Sequence, residues 1–162
     1  MFRLTSDVER DFLAEMLYEA VHWDPDMRRE PLATMLETEA GRYVEDWGRP
    51  GDDALVARGL DDQPAGAAWL RVFDADRPGY GFVDPSTPEL TIAVTRDSRG
   101  RGAGSLLLGG ILGRARGRGV HRVSLSVHRE NPARSMYERF GFTKIGEHGQ
   151  TWTMLIDLGP NP

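Results

Sequence analysis

The 162-residue chain contains no cysteine. That absence removes disulfide scaffolds, thiolate metal sites and cysteine nucleophiles together. The four histidines, His22, His121, His128 and His148, share no ligand spacing, so no metal site is expected. The first seven residues lack an apolar signal core, and no later run approaches the roughly 20 apolar residues needed to span a bilayer. The expectation is a cytoplasmic protein with no membrane partner. No linker, low-complexity tract or internal repeat interrupts the sequence, and its length suits a single domain, 1–162, with a core of ordinary size.

What is present is charge, unevenly spread. The formal net charge of −5 conceals residues 1–95, with nine Arg/Lys against twenty Asp/Glu, and residues 96–162, with eleven against five. The basic half suits an anionic ligand. The acidic half suits a cationic one, unless its carboxylates only solvate helix faces.

A short strand at 2–4 leads to Ser6, which with Glu9 makes a capping-box pattern, and Phe12, Leu13, Met16, Leu17, Ala20 and Val21 then recur at helical spacing. Pro31 opens a second helix that runs through Leu32, Met35 and Leu36 to Gly41. Residues 54–57 and 65–73 read as a hairpin around Asp61-Asp62-Gln63-Pro64. After a Gly-, Pro- and Asp-rich loop at 74–88 comes a compact apolar strand at 89–94, and then a helix from Ser105. That helix carries glycines at 109, 110 and 113, each costing about 1 kcal/mol relative to alanine, which implies close packing against a sheet. A strand at 120–127, a helix at 132–140 capped by Asn131, and a strand pair at 142–145 and 152–158 complete the chain.

Between the strand at 89–94 and the next helix lies Arg99-Gly100-Arg101-Gly102-Ala103-Gly104. Glycines at 100, 102 and 104 permit positive φ and bring backbone N–H groups close to a ligand. The helix behind them aims its own free N–H groups and positive dipole end at the same point. Arg99 and Arg101 bring charge suited to pyrophosphate oxygens. As a bare motif the turn reads equally as a flexible surface loop. It is not a Walker loop, because no glycine is followed by lysine, and a dinucleotide fingerprint starting at Gly100 would need glycine where Ser105 stands. The ligand is a phosphorylated molecule of another kind.

The second informative segment is Asn131-Pro132-Ala133-Arg134-Ser135-Met136-Tyr137-Glu138-Arg139-Phe140-Gly141-Phe142. With it, the chain resembles the GNAT superfamily of acyl-coenzyme A-dependent N-acyltransferases. Arg99, Gly102 and Gly104 match the family's Arg/Gln-x-x-Gly-x-Gly/Ala turn, and Asn131, Tyr137, Gly141 and Phe142 match its downstream asparagine, tyrosine and Gly-Phe turn. The resemblance covers 89–142 closely. It implies an α+β fold: a mixed, mainly antiparallel central sheet of about seven strands flanked by about four helices and split between the fourth and fifth strands. Acetyl-coenzyme A (acetyl-CoA), as cosubstrate, would lodge in the split. Ile92, Ala93 and Val94 would offer backbone to the pantetheine arm, because diverging strands leave such groups unpaired. Arg99, Gly100, Arg101, Gly102, Ala103, Gly104 and Ser105 would hold the pyrophosphate, and Asn131 would contact the coenzyme from the far side.

The implied reaction is direct transfer of an acetyl group, in a ternary complex, to a primary amine of a small molecule or peptide. An alkylammonium with a pKa of about 10 is protonated at pH 7, so a carboxylate acting through one or two waters is the natural base. Glu89 stands at the family's most common position for it, or else marks a strand edge after Pro88; Glu45 and Asp46 are lesser candidates. The Val94 N–H would receive the developing oxyanion. Tyr137 would be the general acid, or a phenol that only packs on pantetheine, with Ser135 able to stand in.

Two other readings stay open. A catalytically inactive coenzyme A-binding module carries the same motifs. Arginines at 96, 99, 101, 114, 116, 118 and 122 supply the charge for a nucleic-acid patch, but no nucleic-acid motif accompanies them, and no nucleic-acid partner is expected. Trp23, Tyr43, Trp47, Trp69 and Tyr80 lie in segments able to line an acceptor pocket or simply to pack a core. The motifs leave open the acceptor, the acyl length and whether the chain forms a homodimer.

Overall fold

Apolar residues alternate along the central strands and divide the molecule into two cores on either side of one sheet. The computed structural model describes residues 1–160. Its sheet has the order β1 (Arg3–Thr5), β2 (Asp53–Arg58), β3 (Pro64–Arg71), β4 (Glu89–Val94), β5 (Arg122–His128), β7 (Thr151–Asp157), β6 (Thr143–His148). Leu55, Ala57, Ala68, Leu70, Leu90, Val123 and Leu125 point to the face covered by α3 (Ala103–Gly117) and α4 (Ala133–Phe140). Ala54, Val56, Ala67 and Trp69 point to the other face, covered by α1 (Arg10–Val21), α2 (Leu32–Leu36) and a 3₁₀ turn at Glu39–Tyr43.

Every neighbouring pair of strands is antiparallel except β4 and β5, which the α3 crossover makes parallel. These two meet at one register position, Glu89 opposite Ser124, where the Ser124 N–H donates to the Pro88 carbonyl at 3.0 Å. Beyond it they diverge, so the expected split between the fourth and fifth strands is present.

The α1 face departs from the sequence expectation in two places. Glu9, not Ser6, precedes α1, with no side-chain cap, because the Thr5 hydroxyl takes the Asp7 N–H at 3.1 Å and Val8 packs against the second core. The helix expected through Gly41 breaks after Leu36. Thr38 donates its hydroxyl to the Met35 carbonyl at 2.6 Å and accepts the Ala40 N–H at 3.3 Å, ending one element and capping the next. The 3₁₀ turn that follows is anchored by Arg71, only 1% exposed, which donates to both Asp52 oxygens and to the carbonyls of Arg42 and Glu45. The break aims Tyr43 at the start of β4.

Helix α3 opens at Ala103, two residues before the expected Ser105. Its glycines are unequal. A Cβ on Gly110 would meet Leu4 and Leu55 at 2.5 and 3.0 Å, whereas one on Gly113 would meet nothing within 4 Å. Close packing explains the first glycine, and nothing in the structure explains the second. In β3, a Cβ on Gly66 would stand 2.7 Å from the Ala93 carbonyl oxygen of β4. Gly66→Ala is expected to lose about 1–3 kcal/mol of stability by overpacking, and Gly113→Ala to gain up to about 1 kcal/mol by helix propensity. Urea unfolding of both variants checks the pair.

Candidate active site

The hydrogen-bond phase of β4 decides what the split exposes. The Thr95 N–H bonds the Ala65 carbonyl at 2.8 Å, so in the antiparallel ladder Glu89, Thr91 and Ala93 also direct their backbone groups to β3. Ile92 and Val94 direct theirs the other way, toward the space β5 has left. The Ala93 backbone is therefore spent on β3, and of the three expected residues only Ile92 and Val94 offer N–H and C=O groups to the opening. Ala93 lines it by its side chain.

A cavity of about 690 Å³ occupies the opening and is lined from both faces of the sheet. On the α1 face its wall includes Leu17, Glu19, Trp23, Tyr43, Tyr80 and Glu89; on the other it includes Asn131, Ala133 and Tyr137. It is a window through the sheet.

Glu89 sits at the vertex of the window and is 2% exposed. Tyr43 donates its hydroxyl to Glu89 Oε2, and the Gly81 N–H donates to Oε1 at 3.1 Å. Burial lifts this carboxyl to about 7, against the opposing pull of the Tyr43 and Gly81 hydrogen bonds and the nearby Arg42 charge. A carboxyl titrating near neutrality in a cavity is suited to exchanging protons. Glu45 and Asp46 do not share this place. Glu45 is half-buried and ion-paired with Arg77 and Arg49, which hold it below its ordinary value, Asp46 is exposed, and neither lines the cavity.

Tyr137 enters from α4 on the opposite face. Its ring packs edge-on against Phe142 with centroids 5.9 Å apart, and among the described residues no hydrogen bond offsets the burial of its hydroxyl. Burial raises the phenol above its ordinary value, so it keeps its proton at neutral pH. Ser135 is exposed, donates to the Pro132 carbonyl at 3.0 Å and does not line the cavity.

Residues 15–142 match the model of the acetyltransferase (GNAT) family. The chain belongs to the GNAT family. It is 36% identical over 120 residues to a mycothiol acetyltransferase of Beutenbergia cavernae, covering 73% of this chain and 37% of that protein. The chain thus spans about a third of the length of the curated relatives it matches. Among solved structures, PaiA N-acetyltransferase from Thermoplasma acidophilum in complex with coenzyme A superposes with TM-score 0.72 at 16% identity, over 97% of this chain and 99% of that one. A GNAT superfamily phosphinothricin acetyltransferase from Sinorhizobium meliloti in complex with AcCoA gives 0.70 at 21%, over 98% and 89%. These structures share the GNAT fold.

The GNAT glycine turn begins at the edge of the cavity: Arg99 is part of its lining, and Gly100 to Ser105 are not. Gly100 and Gly102 have φ of +75° and +89° with open space around them, as a backbone cradle requires. Gly104 does not take positive φ. It lies in the first turn of α3, where an added Cβ would touch Met136 of α4 at 3.5 Å. The first helical bond runs from Leu106 to the Gly102 carbonyl, leaving the N–H groups of Ala103, Gly104 and Ser105 outside the helical ladder. Arg99 lines the cavity and contacts the Val94 carbonyl and Glu19, both at 3.4 Å; Arg101 instead lines a separate hollow with Phe2 and Leu60. Pro132, not the expected Asn131, is the N-cap of α4; Asn131 lies one residue earlier, its side-chain carbonyl accepting the Ala133 N–H at 2.9 Å and its amide NH₂ left over.

Of the aromatic residues singled out, Trp23, Tyr43 and Tyr80 line the cavity. Trp69 is buried in the second core, and Trp47 lies under the Arg71 guanidinium. Trp23 also reaches His128 of β5, with ring centroids 5.0 Å apart. The arginine segment is largely committed to carboxylates: Arg114 and Arg118 to Asp53, Arg122 to Asp84, and Arg96 and Arg99 to Glu19. No helix of the described residues is long and apolar enough to cross a membrane, and no three metal-ligating side chains cluster among them.

Sequence reasoning missed Tyr43 as the partner of Glu89 and missed Gly79 and Gly81 altogether. The signal available was Gly-Tyr-Gly inside a loop already marked by Pro78.

Because the fold raises the Glu89 pKa, a stabilising contribution is complete below the ordinary Glu value and is lost as pH rises through about 7. The wild type is therefore expected to lose about 3 kcal/mol relative to Glu89→Gln between pH 4 and pH 8. Urea unfolding of the two proteins across that range checks it.

Proposed function

We propose that the chain transfers an acetyl group from acetyl-CoA to a primary amine, directly and in a ternary complex. The observation that carries this reading is the window through the sheet, with a carboxyl titrating near neutrality on one face and a protonated phenol on the other.

The backbone fits an amide-bearing ligand, since Ile92 and Val94 face the window with groups that an added strand would pair. The residues from Arg99 to Ser105 hold the pyrophosphate by the free N–H groups of the α3 terminus and the Arg99 charge. Arg99 must then leave the Val94 carbonyl that it contacts at 3.4 Å. Asn131 turns its remaining NH₂ toward the coenzyme.

The amine approaches from the α1 face. Glu89 takes a proton from the ammonium, directly or through water, and the freed nitrogen lone pair then forms the new bond to the thioester carbon. The Val94 N–H steadies the carbonyl oxygen as negative charge gathers there. The carbon–sulfur bond breaks, Tyr137 gives its proton to the departing thiolate on the opposite face, and the second proton shed by the nitrogen restores the phenol through water. Acid and base thus meet different ends of the reacting assembly and need not compete for one site.

The curated relatives are named mycothiol acetyltransferases, so mycothiol-related amines belong in an acceptor screen beside polyamines, aminoglycosides, amino acids and peptide N-termini. Thiol release from acetyl-CoA with product masses is expected to identify one amine class carrying a single added acetyl. Binding of acetyl-CoA without turnover across the whole panel would instead favour an inactive coenzyme-binding module.

Tyr137→Phe is expected to lower kcat at least tenfold with little change in acetyl-CoA affinity, read by steady-state kinetics and calorimetry. Glu89→Gln is expected to lose the rise of kcat with pH centred near 7. If both the limb and its plateau persist in that variant, Glu89 is not the base.

A further inference from the structure

Glu89 is held by a device that lies outside the matched motifs. Tyr43 is buried in the second core, its carbonyl accepting Trp69 Nε1–H at 3.1 Å and its ring standing edge-on to Phe73 at 5.0 Å. Its hydroxyl accepts the Tyr80 N–H at 2.8 Å and donates to Glu89 Oε2, while the Gly81 N–H holds Oε1 at 3.1 Å. The two carboxylate oxygens are thus fixed from two directions, by a 3₁₀ turn and by the 79–81 strap.

The strap has no room for side chains at its two glycines. A Cβ on Gly79 would fall on Glu89 Oε1 and 2.9 Å from the Tyr43 hydroxyl, and one on Gly81 would stand 2.6 Å from the Leu125 carbonyl carbon of β5. Arg42 donates to the Pro78 carbonyl and ties the strap back to the 3₁₀ turn. Between them the Tyr80 ring stacks on Tyr43 with centroids 6.0 Å apart and lines the cavity.

Resting on Glu89 as the base, we infer that Tyr43 is a positioning residue for the transfer, its strap-held hydroxyl fixing the Glu89 carboxylate at the vertex of the window. The hydroxyl donates only to the ionised form's benefit, so it opposes the desolvation of the carboxylate and sets where its proton is released. The charged or titratable groups facing this carboxylate are Arg42 and Tyr43 from the 3₁₀ turn and Tyr80 from the strap; β5 contributes Ser124 beside it, without charge. Glu19 of α1 and His128 of β5 line the same cavity.

The test is the pH dependence of kcat for wild type, Tyr43→Phe, Gly79→Ala and Glu89→Gln, with acceptor saturating so that the limb reports the bound complex. Loss of a donor to a charged group is expected to move the Tyr43→Phe limb up by about one unit, lowering kcat about fivefold at pH 7 and restoring most of it by pH 9. KM for acetyl-CoA stays at the wild-type value, which also reports an intact fold. Gly79→Ala, which keeps the hydroxyl but crowds the carboxylate, is expected to lower the plateau itself. Profiles of Tyr43→Phe and Gly79→Ala that superimpose on wild type, while Glu89→Gln loses its limb, overturn the positioning role and leave the base in place. A limb that survives in Glu89→Gln overturns the base, and the role of Tyr43 with it.

Discussion

The structure depends on one contact, the parallel pairing of β4 with β5 at Glu89 and Ser124 in a sheet that is otherwise antiparallel. The α3 crossover forces the parallel direction, and a single register position is all that the diverging strands share. Had they stayed paired, the backbone of Ile92 and Val94 would be satisfied and the sheet closed. Because they part, a strand edge is left open in the middle of the protein, along a cavity lined from both faces of the sheet. The α3 N-terminus and its glycine turn lie at the open end of the split; the buried carboxylate lies at the closed end.

A carboxylate at such a vertex is costly to ionise. The shift to about 7 corresponds to about 3 kcal/mol against the charged form, and the Tyr43 and Gly81 hydrogen bonds hold it to that. The surroundings can bear this because they are rigid for other reasons. Trp69 fills the second core, and Arg71 with Asp52 fixes the 3₁₀ turn from which Tyr43 projects. Breaking that buried ion pair would leave an uncompensated charge and release the turn. The residues that hold the second core together thus also fix the turn from which Tyr43 reaches the vertex carboxyl.

What could be read from the sequence was local. The glycine turn, the strand before it and Asn131 with Tyr137 after it are each specified by neighbours in the chain, and their order was enough to suggest the split sheet. The rest required distance. Tyr43 and Glu89 are 46 residues apart, and their meeting depends on Thr38 interrupting a helix that periodicity alone would continue to Gly41. The phase of β4, which turns Ile92 and Val94 but not Ala93 toward the window, is set by the Thr95 bond to Ala65 and not by residue type. The helical backbone of Gly104 and the placement of the Arg101 side chain were hidden for a related reason. A glycine in a turn motif can serve helix packing, and an arginine beside a cradle can face away from it.

Burial lifts the carboxyl at the vertex of the strand split toward neutrality, and the proposed proton transfer turns on that shift. Carbon-13 NMR of protein labelled at the glutamate side-chain carboxyls, with the Glu89→Gln spectrum assigning the resonance, measures this directly. The midpoint expected for Glu89 in the folded chain is near pH 7. A midpoint at the ordinary glutamate value of about 4.3 would contradict it.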